Sequence, residues 1–329
     1  MRIEGKVTLI TGASEGLGAA CAVEFARAGA LLSLAARSEE GLRRAGGPGA
    51  LIAAGDLTVE ETRRAVVERT LARYGRIDIL INNAGVGLYR PSWSTPMEEA
   101  RRMWELNFFA ALGMAQLVAP HMRERRGGTI VNVSSIAGKF TLPWMPLYSA
   151  SKSALGAWTE ALRMELGRDG IHAMLVCPGY VKTEFHRHAM GGGPPGKVAG
   201  GKRFAISAED CARAIRRGVE RGARTVMPPG LGWLLVAAGL LFPGLVEKAL
   251  AAGTGPAEFR VYLGYCGWGP GQLENEVELG VWYIFSGNAG LVFDSNPASL
   301  WSRLIARTEQ QVARNLVPRR GSCCFATWK

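Results

Sequence analysis

Tyr148 and Lys152 lie four residues apart in LYSASKSAL (147–155), separated only by small residues. On a helix, positions i and i+4 share a face, so a phenol and an ammonium at this spacing point the same way. A free phenol has a pKa of about 10, too high for a useful base at neutral pH. A cation one turn away favours the phenolate and lowers that value. Such a pair could exchange protons under ordinary conditions; the competing reading is an amphipathic tyrosine and a solvated lysine. Tyr-x-x-x-Lys alone is a weak signal. Leu147, Ala154, Leu155, Trp158, Ala161 and Leu162 sharpen it, because they mark a helix with a buried stripe.

A second constellation is TGASEGLG (11–18). In a chain with 43 glycines, the spacing of Gly12, Gly16 and Gly18 means little by itself. Its position makes it informative: it follows the apolar run VTLIT (7–11) and opens a helical pattern. Gly12, Ser14, Gly16, Leu17 and Gly18 would let the backbone approach a pyrophosphate. The helix N-terminus would offer it free N–H groups and a partial positive charge. After the second apolar run stand Ala36 and Arg37, where NAD-preferring enzymes often carry an acid for the ribose 2′-OH. A guanidinium there suits a 2′-phosphate, whereas Glu15 would repel one; NADP is expected over NAD. Asp56, followed by Leu57, is placed to accept from the adenine amino group, or else is a turn residue.

These groups need a scaffold. Apolar runs at 7–11, 31–36, 50–56, 77–85, 128–135, 171–179 and 224–228 read as strands. Helical patterns cover about 17–28, 59–73, 97–111, 112–125 and 207–221, besides the Tyr–Lys helix. Alternation of this kind predicts an α/β fold, a parallel sheet with helices on both faces. Ser135 then ends the fifth strand, at the carboxyl edge where open α/β sheets bind ligands.

The chain has 329 residues, a formal charge of +11 and 48% hydrophobic residues, which suits a soluble globular protein. Much of the basic excess lies between Lys182 and Arg224, either a solvated face or a site for an anionic lipid or acidic ligand. No zinc-finger or RNA-binding signature supports nucleic acid. The six cysteines show no metal-ligand spacing and read as reduced thiols. No metal site is expected; His186 and His188 are read as free in solvent. The opening MRIEGKVTLITG has no secretory pattern, so a cytoplasmic location is expected. From Thr225 to Val246 there is no charge, but prolines leave too short a helix to span a bilayer. A substrate lid or subunit contact is expected there, with a peripheral membrane contact through 195–250 left open. A homodimer or homotetramer is expected.

TGASEGLG, NNAG (82–85), Asn107 within ELNFF, NVSSIAG (132–138), YSASK (148–152) and PGYVKT (178–183) resemble the short-chain dehydrogenase/reductase family over about residues 3–250. The resemblance implies a Rossmann-type doubly wound sheet, NAD(P)(H), and a tetrad of Asn107, Ser135, Tyr148 and Lys152. Tyr148 would be the acid in carbonyl reduction and the base in alcohol oxidation. Ser135 would steady the substrate oxygen, and Lys152 would hold the nicotinamide ribose. Asn107 would link Lys152 to a water relay. Asn83, Ala84, Gly85, Pro178, Gly179, Val181 and Thr183 would surround the cofactor. Asn83 and Gly85 would shape a loop, and Thr183 would bond the carboxamide or cap a turn. Phe140, Leu142, Trp144 and Met145 would wall a pocket for a lipophilic carbonyl compound or alcohol. The other function left open is a non-enzymatic NADP-binding or scaffold protein acting through its tail.

Residues 259–305 fall outside that pattern. RVYLGYCGWGPGQLENE, GVWYIF, LVFD and LWSRLI resemble the C-terminal part of the AlgH/YqgE-like family. A domain over 1–253 and a small appended α/β segment over 254–329 are expected, the latter as a packing or interaction module whose last residues, GSCCFATWK, are disordered.

Overall fold

The computed structural model describes residues 1–191, 205–244, 248, 282–286 and 324–328. Contacts divide the chain into Met1–Thr254 and Gly255–Lys329.

The first unit is built on the strands β1 (Val7–Thr11), β2 (Leu31–Ala36), β3 (Leu51–Ala54), β4 (Ile79–Asn82), β5 (Gly128–Val133) and β6 (Ile171–Val176). Short pairs follow at β7 (Val181–Lys182), β8 (Ile206–Ser207) and β9 (Thr225–Val226). Seven of them form one parallel sheet in the order β3-β2-β1-β4-β5-β6-β9. The order reverses between β1 and β4, which opens a crevice at their carboxyl ends.

Alternate residues of each strand enter opposite cores. Ile10, Leu34, Ile79, Ile81, Val131 and Met174 pack with Phe25 of α1 (Gly16–Arg27), Leu42 of α2 (Glu39–Gly46) and Ile215 of α7 (Ala208–Arg221). Leu9, Ala35, Leu80, Ile130 and Ala173 pack with Val66 of α3 (Glu60–Tyr74), Met114 of α5 (Ala110–Glu124) and Leu162 of α6 (Pro146–Leu166). Burial on both faces is why these strands read as continuous apolar runs rather than alternating ones.

Several boundaries differ from expectation. The sixth and last parallel strands are shorter than their apolar runs, since Pro178, Pro228 and Pro229 have no N–H for a ladder. The helices expected at 97–111 and 112–125 are joined without a break. α4 (Met97–Trp104) runs through a π-turn, Glu105–Phe109, into α5. The charge-free stretch forms α8 (Gly232–Leu241), and among the described residues no helix is long and apolar enough to cross a membrane. Residues 195–204, 245–247, 249 and 250, within the expected membrane-contact stretch, lie outside the described residues. So does most of the appended segment expected over 254–329.

In the second unit, β10 (Trp282–Ser286) pairs antiparallel with β11 (Cys324–Trp328), with Trp282 opposite Trp328 and Phe285 opposite Phe325. The end expected to be disordered is therefore in part a strand. Phe325, Thr327 and Trp328 are residue types that favour strands.

Candidate active site

The glycine turn joins β1 to α1 at the crevice. Gly12 has φ +62°, and a Cβ on it would stand 2.8 Å from Ala84 Cα. Gly18 packs closer still: its Cβ would lie 2.1 Å from Gly12 O. Asn83 then fastens the turn, donating from Nδ2 to Thr11 O and Gly12 O, both at 3.1 Å. Thr11 Oγ1 accepts from the N–H groups of Asn83 and Ala84 at 3.0 and 3.1 Å. This NNAG segment is thus a tie between the ends of β1 and β4.

The first turn of α1 has no side-chain cap, so its N–H groups keep their partial positive charge for a ligand. Glu15, at the cap position, instead meets His188 Nδ1 at 2.8 Å. At Gly16, φ is +55°, and a Cβ would reach to 3.4 Å from Thr183 across the cleft. The positive φ, more than the space, is what favours glycine here, and the turn with the uncapped helix end fits a dinucleotide pyrophosphate.

One cleft of about 1300 Å³ runs from Arg37 and Asp56, past this turn, to Ser135 and Tyr148. Gly12, Ser14, Gly16, Leu17, Leu57, Asn83, Ala84, Gly85, Lys152, Pro178, Gly179, Val181 and Thr183 also line it. Gly18 and Asn107 do not; they lie behind it. At the outer end, Asp56 Oδ1 accepts from Thr58 N at 3.0 Å and Thr58 Oγ1 at 2.9 Å. The Thr58 N–H does most to hold the Asp56 carboxyl below its usual range, with Arg37 and Arg102 helping. Thr183 caps the turn Glu184–His186, accepting from Phe185 N at 3.4 Å.

Tyr148 and Lys152 are both on α6, face the same cleft, and are only 7% and 4% exposed. Lys152 Nζ sits 5.8 Å from the centre of the Tyr148 ring and donates to Val133 O at 2.9 Å. The ammonium was expected to lower the phenol's pKa. Burial dominates instead and pushes Tyr148 up to about 12, against a hydrogen bond with the Ser135 hydroxyl. Burial also brings Lys152 down to about 8. Both shifts follow from removing charge from water. Ser135 accepts in addition from Ala137 N at 3.1 Å.

Asn107 lies in the π-turn and is 1% exposed. Its Oδ1 accepts from Val86 N at 2.8 Å, and its Nδ2 donates to Val86 O at 3.0 Å and Ser151 Oγ at 3.2 Å. Single π-turns inside helices occur frequently at functional sites.

The family model described as short chain dehydrogenase matches residues 6–190. The chain belongs to the short-chain dehydrogenase/reductase family. It is an NAD(P)-dependent oxidoreductase of CH–OH and C=O groups. A second family model, AlgH-like, matches residues 240–313. The chain is 35% identical to a dehydrogenase/reductase SDR family protein 7-like from Anopheles gambiae, over 68% of this chain and 75% of that one. It is 34% identical to 11-beta-hydroxysteroid dehydrogenase A of Sesamum indicum, over 69% of each. A short chain dehydrogenase from Burkholderia cenocepacia, solved with NADP, superposes with TM-score 0.65 and 30% identity, covering 76% of this chain and 99% of that one. A 3-ketoacyl-(acyl-carrier-protein) reductase from Brucella melitensis, solved with NADH, gives TM-score 0.63 and 28% identity, covering 69% and 97%.

The expected wall residues Phe140, Leu142, Trp144 and Met145 all line the cleft, joined by Leu231 and Gly232 from the turn into α8. The loop after β7 adds Phe185, His186, His188 and Met190, which sequence reasoning did not assign to the site. Neither histidine is free: His186 bonds Tyr89, and His188 meets Glu15. The density of aromatic and imidazole side chains in EFHRHAM (184–190) was the available signal.

Proposed function

We propose that this oxidoreductase acts on the carbonyl or secondary alcohol of a lipophilic small molecule, with NADP(H) as cofactor and Tyr148 as general acid and base. The observation that carries the reading is the convergence of Ser135, Tyr148 and Lys152 on one cleft. A nicotinamide bound in that cleft would supply or accept the hydride.

In reduction, Tyr148 gives its proton to the carbonyl oxygen as negative charge builds there. Ser135 donates to the same oxygen and steadies it. Lys152, still largely cationic at neutral pH, stabilises the phenolate left behind and holds the nicotinamide ribose hydroxyls. Asn107 links Lys152 to a water relay and keeps the Val86 backbone and Ser151 in place beside it. In alcohol oxidation the same phenolate takes the proton. Gly12, Ser14, Gly16 and Leu17 would hold the pyrophosphate of the bound cofactor, Asp56 and Leu57 the adenine, and Thr183 the carboxamide.

Arg37, with Arg44 and Arg102 at the same end of the cleft, supports NADP. The apolar wall supports a lipophilic substrate, as does a relative named as a hydroxysteroid dehydrogenase. Leu234, Leu240 and Leu241, exposed on α8, support a peripheral contact with a lipid surface. Absorbance of the reduced nicotinamide, followed across a panel of cyclic and aromatic ketones and alcohols, tests the activity. Turnover with NADPH or NADP that is lost in Tyr148→Phe is expected; no turnover across the panel overturns the reading.

A further inference from the structure

The loop after β7 and the segment after β4 bring together a polar pair that the proton chemistry leaves unused. Tyr89 Oη and His186 Nδ1 lie 2.5 Å apart. The His186 ring stacks on Tyr180, with centroids 4.7 Å apart and planes inclined by 12°. All three side chains line the cleft. Tyr89 is only 7% exposed and shares one apolar cluster with Leu88, Met145 and Tyr148. The Phe185 ring touches both ends of the arrangement, 5.8 Å from the Tyr148 ring and 5.6 Å from the His186 ring.

The pair is not needed to fasten the loop. Tyr89 N donates to Met190 O and Met190 N to Gly87 O, both at 2.9 Å, which already tie it down. Leu142, Trp144 and Met190 pack into the same apolar cluster as Tyr89. The other charged or imidazole groups of the loop are engaged elsewhere: Glu184 with Arg187, and His188 with Glu15. The Tyr89 phenol is buried and, beyond its bond with His186, keeps a further hydrogen-bonding position that a ligand's polar group would fill.

The geometry points to Tyr89 and His186 as the anchor for a second oxygen on the substrate. The preferred substrate is then a lipophilic ring compound that carries a second hydroxyl or carbonyl besides the reacting one, with Phe185 in ring contact with both Tyr148 and His186. This rests on the reading of the cleft as a hydride-transfer site. The pair can meet either group. With a proton on His186 Nδ1, the imidazole donates to Tyr89, whose own O–H donates to a carbonyl. With Nδ1 bare, the phenol donates to the imidazole and its lone pairs accept from a hydroxyl. Burial, with the phenols of Tyr148 and Tyr180 nearby, pushes the Tyr89 ionisation well above the usual range. It therefore stays a neutral hydrogen-bonding group wherever the enzyme works. A site built to bond a polar group discriminates against the analogue that lacks it.

Decalone and the matching decalindione test this on the full-length protein with NADPH. The wild type is expected to favour the dione roughly tenfold in kcat/KM, beyond the factor of about two from its second reactive carbonyl. Tyr89→Phe and His186→Phe are expected to bring that ratio close to the bare factor of two, whereas a general structural loss lowers both ketones alike and leaves the ratio intact. A ratio that survives in both variants, or no preference in the wild type, overturns the proposal. Should neither ketone turn over, the hydride-transfer reading is judged separately, by the wider panel of ketones and alcohols. Calorimetric Kd values for the two compounds on the NADP-loaded protein then decide: tighter dione binding that Tyr89→Phe abolishes supports the anchor, and equal or absent binding overturns it.

Discussion

Gly85 lies against Asn107 and Lys152 at once: a Cβ on it would stand 3.1 Å from Asn107 Oδ1 and 3.3 Å from Lys152 Nζ. Neither neighbour can retreat freely. Asn107 Oδ1 is held by Val86 N at 2.8 Å, and Lys152 Nζ by Val133 O at 2.9 Å. One extra methyl in a packed site costs about 1–3 kcal/mol, and here the displaced atoms are those proposed to act. Gly85→Ala is expected to lower kcat at least tenfold while Tm falls by only a few degrees. Steady-state kinetics beside a thermal melt measures both; a kcat within twofold of wild type would mean the close approach has no part in catalysis.

Tyr148→Phe removes one oxygen from a side chain that is 7% exposed and leaves the ring's packing against Phe185. Turnover is expected to vanish, with NADPH binding, read by fluorescence titration, largely intact. Retention of more than a tenth of wild-type kcat would refute the assignment of the phenol as proton donor.

The pH profile should report Lys152. Its pKa is lowered to about 8, so its charge is present below that value and lost as pH rises through it. Tyr148, pushed up to about 12, stays protonated across the same window. Ketone reduction needs the cation to stabilise the emerging phenolate, so kcat/KM should be level in the neutral range and fall on a single ionisation near 8. The free enzyme's groups appear in that parameter. Lys152→Arg keeps its charge throughout, so whatever activity remains should lack the falling limb. A wild-type profile with no decline in that region would remove Lys152 from the proton chemistry.

The succession of strands along the chain and the phosphate-binding turn were legible because buried parallel strands leave uninterrupted apolar runs and the glycines of 12–18 follow the first of them. The shared helix face of Tyr148 and Lys152 follows from four-residue spacing alone. The direction of the Tyr148 shift was not legible. The sequence shows an ammonium one turn away, but burial of both groups is set by elements distant in the chain, including Phe185 and Met145. Asn107 was found, but its π-turn was not, because no residue type in ELNFF marks a widened turn. His186 and His188 were misread because their partners, Tyr89 and Glu15, are 97 and 173 residues away. The terminal strand was missed because its partner, β10, lies across an intervening segment of the tail.

Every residue proposed for chemistry or cofactor binding lies between Gly12 and Thr183, within the unit Met1–Thr254. A chain ending at Thr254 is therefore expected to keep kcat/KM within threefold of the full protein. Loss of activity in a truncated chain that still melts cooperatively would show that the AlgH-like segment contributes to the reaction rather than forming an accessory module.

Arg37 stands at the outer end of the cleft, exposed, beside Arg44 and Arg102. A 2′-phosphate there would meet guanidinium groups, and a charge-assisted hydrogen bond contributes about 1.5–3 kcal/mol. The opposing carboxylate, Glu15, faces His188 at 2.8 Å, which tempers its repulsion of that phosphate. Arg37→Ala is expected to lower kcat/KM for NADPH by roughly ten- to a hundredfold while leaving NADH within threefold, since NADH has no group for the guanidinium to bind. The NADPH advantage should also shrink as salt is added, because the exposed charges are screened. A wild-type enzyme that favours NADH tenfold or more would reverse the assignment and make Glu15 or Asp56, rather than Arg37, the group that selects the nucleotide.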